Sequence, residues 1–88
     1  MLTLNIRLFG AFKQLLNANE FTVSVPAKIT VAELRKALLI AMTPQTQYPE
    51  KLILIQHSAV ANEERILADD ECIVEASVLA LLPPCSGG

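Results

Sequence analysis

The 88-residue sequence predicts an α+β roll: a mixed sheet packed on one main helix, with a short additional helix. Three observations carry that expectation. Hydrophobic alternation with period two opens the chain at Leu2, Leu4, Ile6 and Leu8. A capped amphipathic segment begins at Thr30, and an uninterrupted apolar run, 78–82, lies near the end. With extended segments on both sides of a single substantial helix, that helix is left to cover the sheet, which is the simplest α+β solution.

Taken in order, Thr3, Asn5 and Arg7 interleave with the apolar positions and make 2–8 a half-buried strand. Gly10 interrupts it, 11–16 suits a short helical turn, and Asn17 and Asn19 supply turn chemistry. Phe21, Val23 and Val25 alternate with Thr22 and Ser24, so 20–25 is a second strand, paired with the first as a hairpin and ended by Pro26. Thr30 as N-cap with Glu33 three residues on forms a capping box. Leu34, Ala37, Leu38 and Ala41 then fall on one helical face, and Pro44 limits the helix. Residues 43–51, with two prolines, two glutamines and Tyr48, read as a loop. Extended structure is expected again from Leu52, through Ile53, Ile55 and His57 into the small-residue run 58–61, as a strand inside a sheet. Short extended pieces at 66–67 and 72–74 flank an acidic turn, and the apolar strand 78–82 belongs mid-sheet or against a partner.

Bulk composition excludes several classes. With 52% hydrophobic residues, a mean hydropathy of +0.43 and a formal charge of -2, the chain is not disordered. Its longest apolar run, 37–42, is far short of the roughly 20 residues a membrane span needs. Seven basic against nine acidic residues give no electrostatic footprint for nucleic acid. Cys72, Cys85 and the single His57 make no metal-ligand set. Since strand alternation starts at once and no signal peptide precedes it, reduced cysteines and a cytoplasmic location are expected. So apolar a chain of this size leaves some apolar surface outside its core, which points to a docking face.

The chain closes with Pro83-Pro84-Cys85-Ser86-Gly87-Gly88. The expected organisation is one folded domain, 1–84, and a flexible Gly-Gly tail, 85–88. The prolines stop the strand and stiffen its exit, because neither donates a ladder hydrogen bond and both fix φ. The four residues beyond them reach about 13 Å when extended. A terminal Gly-Gly offers a carboxylate with no side chain beside it, able to thread a narrow channel. Two readings of it stand: a frayed end, or a carboxylate delivered into another protein's active site.

The ending Leu81-Leu82-Pro83-Pro84-Cys85-Ser86-Gly87-Gly88 resembles that of the molybdopterin synthase small subunits, the MoaD-like branch of the ubiquitin-like β-grasp sulfur carriers. Ile6-Arg7-Leu8-Phe9-Gly10 with Lys13-Gln14-Leu15, Thr30-Val31-Ala32-Glu33-Leu34-Arg35, and Ala61-Asn62-Glu63-Glu64 extend the resemblance over the chain. It departs from the family at Glu75-Ala76-Ser77-Val78, where Asp-Gly-Asp-Glu is common, so the usual tight turn is in doubt: Ala76 resists a positive φ. Cys85 stands where an aliphatic or β-branched residue is more frequent.

The resemblance implies a β-grasp roll whose Gly88 carboxylate is adenylated by an E1-like activating enzyme with ATP and Mg²⁺, then converted to a thiocarboxylate. It implies sulfur donation to cyclic pyranopterin monophosphate within a large synthase subunit, in a heterotetramer. On that reading the chain binds no permanent cofactor and is a reagent rather than a catalyst alone. Gly87 allows close passage, and Phe9, Leu82, Pro83, Pro84, Cys85 and Ser86 contact partners. Phe9 also admits a plainer role, packing under the short helix. The acidic group Glu63, Glu64, Asp69, Asp70, Glu71 and Glu75, with Arg65 among them, is either a solvated face or a contact for a basic patch on the activating enzyme. Sibling functions are sulfur carriage for thiazole synthesis or tRNA thiolation; a ubiquitin-like modifier joined through Gly88 to lysines, or a plain interaction module, are further alternatives.

Overall fold

A computed structural model describes residues 1–84. Strand β1 (Leu2–Leu8) leads through helix α1 (Ala11–Leu16) to β2 (Glu20–Val25), β3 (Ile29–Thr30) and helix α2 (Val31–Met42). Two 3-10 segments follow, Thr43–Gln45 and Pro49–His57, and then β4 (Ala59–Ala61), β5 (Cys72–Ile73) and β6 (Ser77–Leu82). The main sheet has the order β2-β1-β6-β4, while β3 and β5 form a separate two-stranded pair. β1 runs antiparallel to β2 and parallel to β6, so the sheet is mixed as expected.

Each strand of the main sheet sends alternate residues inward. Leu4, Ile6 and Leu8 from β1, Val23 and Val25 from β2, and Leu79 and Leu81 from β6 are buried against α2. Helix α2 starts on a complete capping box: Thr30 Oγ1 accepts the Glu33 N–H at 3.1 Å, and the Glu33 carboxylate accepts the Thr30 N–H at 3.0 Å. Leu34 and Leu38 are fully buried, joined by Val31 and Met42, while Ala37 and Ala41 pack at the margin. Helix α1 stops at Asn17, which is left-handed at φ 50°, with the Asn17 N–H donating to Gln14 and the Ala18 N–H to Lys13. This is a Schellman ending in which asparagine takes the place usual for glycine.

The structure corrects several expectations between residues 43 and 74. Residues 52–55 are not extended, and the loop expected over 43–51 is largely helical. Pro49 opens the longer 3-10 segment from a position where its missing N–H is harmless. Leu52 and Ile55, three apart and on one face of a three-residue turn, are buried, whereas Ile53 is 59% exposed. His57 ends this segment and is exposed rather than lying in a strand. Ser58 stays outside β4, closing the 3-10 turn by donating its hydroxyl to the Ile55 carbonyl at 2.6 Å, and β4 is an edge strand rather than an interior one. Of the pieces at 66–67 and 72–74, the first is a single bridge from Ile66 to Ala61 and the second pairs only over Cys72–Ile73. Its partner β3, two residues long, gave no alternation to read.

Candidate functional site at the exit of the last strand

Strand β6 lies between β1 and β4, as its unbroken apolar character suggests, and it ends where the chain leaves the fold. Because β6 runs parallel to β1 with Leu81 opposite Leu8, continuing the register sets Leu82 beside Phe9 and Pro83 beside Gly10. The prolines are half-buried and continue past the strand without ladder pairing.

Alternate residues of β6 face away from α2: Val78 and Ala80, with Leu82 next in phase. Ala80 pairs with Arg7 on one side and Ala61 on the other, and Leu82 pairs with Ala59. Phe9 is 45% exposed and Val78 is also 45% exposed. Together with Arg7, Ala61, Asn62, Glu63, Leu79 and Ala80 they line a shallow depression of about 180 Å³. The aromatic under the short helix is instead Phe12, which is fully buried. Phe9 is thus left partly exposed, and on the outer face the small Ala80 lies between Arg7 on one side and Ala61 on the other. Asn5, opposite Val78 on the same face, holds its Oδ1 buried without a hydrogen-bond partner.

The acidic stretch resolves into internal pairs and open charges. Glu71 takes a two-pronged contact from Arg65, with Nη2 at 2.6 Å from Oε2, and accepts the Ala68 N–H at 2.9 Å. Those donors stabilise its ionised form and hold its pKa at about 2, below the usual 4.5. Asp69 accepts from Arg35 Nη1 at 2.8 Å, and the same guanidinium donates through Nε to the Ser58 carbonyl at 3.1 Å. Glu63, Glu64, Asp70 and Glu75 are exposed. Ala76 does not take a positive φ, which among non-glycine residues described belongs only to Asn17 and Lys28. Ala76 therefore carries no left-handed backbone strain.

Phe9, Leu82, Pro83 and Pro84 are brought together at one end of the sheet, whereas Cys85, Ser86, Gly87 and Gly88 lie outside the described residues. Cys72 is an exposed thiol on β5. No group of three or more potential metal ligands occurs among the described residues, and none of their helices is long and apolar enough to cross a membrane. Gly10 is legible in the sequence as a strand break and as part of a motif; its closeness to Pro83 depends on a register that local alternation does not reveal.

Residues 6–88 match the ThiS family. The chain belongs to that family. Comparison with curated protein sequences returns no match. Among solved structures, this ThiS-family chain is similar to SAMP1 from Haloferax volcanii, with a TM-score of 0.70 and 22% identity over 98% of this chain and 99% of that one. It is similar to a putative molybdopterin converting factor, subunit 1, from Pyrococcus furiosus, with a TM-score of 0.65, 18% identity, and 97% and 100% coverage. The ubiquitin-like domain of Plasmodium falciparum Dsk2 follows at a TM-score of 0.54, 17% identity, and 91% and 96% coverage. The fold of this ThiS-family protein is therefore the ubiquitin-like β-grasp.

Proposed function

We propose that this ThiS-family protein is the sulfur-carrying small subunit of a molybdopterin synthase, acting in the cytosol. The observation that carries the reading is the ending Leu82-Pro83-Pro84-Cys85-Ser86-Gly87-Gly88, whose described part, Leu82 to Pro84, leaves the strand next to a sheet face that exposes Phe9 and Val78. A free carboxylate resists nucleophiles, so the Gly88 carboxylate first attacks the α-phosphorus of Mg²⁺-bound ATP on an E1-like enzyme, releasing pyrophosphate. Sulfide displaces AMP and leaves the thiocarboxylate directly; a persulfide displaces AMP to give an acyl disulfide, whose S–S bond a second thiol then attacks, releasing the thiocarboxylate and forming a new disulfide with the donor's sulfur. In the large subunit the thiocarboxylate sulfur is transferred to cyclic pyranopterin monophosphate, and Gly88 returns as a carboxylate.

The apolar face seats the body on each partner in turn, Leu82, Pro83 and Pro84 lead the chain towards the partner, and Cys85, Ser86 and Gly87 accompany Gly88 into its channel. ATP and Mg²⁺ belong to the activating enzyme. Intact-mass spectrometry after incubation with ATP, an E1-like enzyme and a sulfur donor tests the reading: the expected product has one oxygen replaced by sulfur, and deletion of Gly88 abolishes it. Absence of both adenylate and thiocarboxylate refutes it.

The likeness to SAMP1, whose other crystal structure is described as a small archaeal modifier protein, supports a second reading in which Gly88 is joined to lysines of other proteins. Isopeptide-linked ladders in cells would favour that reading; free protein carrying sulfur favours the first.

A further inference from the structure

We infer that Gly10 is a positioning residue: its missing side chain forms the seat on which Pro83 rests, and this contact sets the direction in which the tail leaves the fold. Gly10 has φ 56° and ψ -128°, in the mirror of the β region that only glycine occupies without strain. The turn is held from within, by the Phe12 N–H on the Phe9 carbonyl and the Gln14 N–H on the Gly10 carbonyl. A Cβ built on Gly10 falls 2.9 Å from Pro83 Cγ, with the next two atoms of the same ring at 3.8 and 4.0 Å. Alanine therefore meets two obstacles, the backbone conformation and the proline ring, and only the second concerns the tail.

The seat lies where direction matters most. Pro83 is the first residue after β6, and its ring and that of Pro84 transmit the angle of departure, because both have φ fixed. A shift of the ring away from Gly10 changes the angle at which Pro84 leaves the sheet. The partner grips the sheet face while its active site waits for Gly88, so a misdirected exit leaves docking intact and displaces the reacting carboxylate. Misplacement of about an ångström is enough to cost a reaction one to two orders of magnitude. The aiming role rests on the carrier reading above, whereas the seat itself does not.

A cycle of Gly10→Ala, Pro83→Ala and the double variant tests both, read by thermal unfolding and by pyrophosphate release with ATP, Mg²⁺ and an E1-like activating enzyme. Gly10→Ala is expected to lower kcat about tenfold with KM for the protein little changed. The double variant should return to the kcat of Pro83→Ala, and should unfold at a higher temperature than Gly10→Ala alone, although the backbone strain is common to both. Additive losses in unfolding temperature overturn the seat, and an unchanged kcat in Gly10→Ala overturns the aiming role. If Gly10→Ala does not fold, Pro83→Gly decides: it leaves the seat empty, and an undiminished kcat refutes the proposal. A wild-type chain that is never adenylated removes the carrier reading and the aiming role with it, while the unfolding cycle still decides the contact.

Discussion

Two residues with positive φ, Asn17 and Gly10, show how differently the same sign can matter. Asn17 sits in the ordinary left-handed well, which asparagine tolerates, and merely ends a helix. Gly10 occupies a region closed to side chains and supports the tail as well. Charge is equally specific. Glu71 is held ionised by Arg65 and the Ala68 N–H, with a folded pKa of about 2 against 4.5. A carboxylate whose pKa falls on folding stabilises the fold above its unfolded pKa, and the effect is lost as pH drops through the folded value. The urea midpoint of Glu71→Gln should therefore lie below that of the wild type at pH 7, and the gap should close between pH 4.5 and about 2. A gap that persists unchanged at the acid end contradicts the assignment.

At the scale of elements, β1, α1, β2 and the start of α2 were readable because each depends on neighbours in sequence: alternation, turn residues and a capping box. The 3-10 segment Pro49–His57 was not, since Leu52, Ile53 and Ile55 satisfy an extended pattern as well as a three-residue turn. Packing against α2 selects the turn, burying Leu52 and Ile55 and leaving Ile53 in solvent. Ile55→Ala should cost about 2–5 kcal/mol in chemical denaturation, while Ile53→Ala should stay within about 0.5 kcal/mol. Equal losses at the two positions would restore the strand.

For the whole molecule, the parallel pairing of β1 with β6 decides where the candidate site lies, because it joins the first and last strands at the centre of the sheet and delivers Phe9, Leu82 and Pro83 to one end. The apolar excess in the composition comes partly to rest there, on the outer face with Phe9 and Val78. Other exposed apolar side chains, such as Ile40 and Ile66, are distributed elsewhere. On the proposed carrier function, Phe9→Ser should weaken binding to an E1-like activating enzyme about tenfold by titration calorimetry, with little change in unfolding temperature. A large drop in that temperature with binding unaffected would return Phe9 to the packing role.

The amino-acid sequence by itself determined the class of fold, the capped helix, the first hairpin and the Pro-Pro and Gly-Gly ending, since these are encoded in short-range patterns of apolar, capping and turn residues. Only the tertiary structure decided that β6 pairs with β1 on one side and β4 on the other, that Ile53 faces water, that Phe12 rather than Phe9 fills the space under α1, and that Pro83 rests on Gly10. Those outcomes join residues as far apart as 10 and 83, and they are settled by competition among packings that no local window contains.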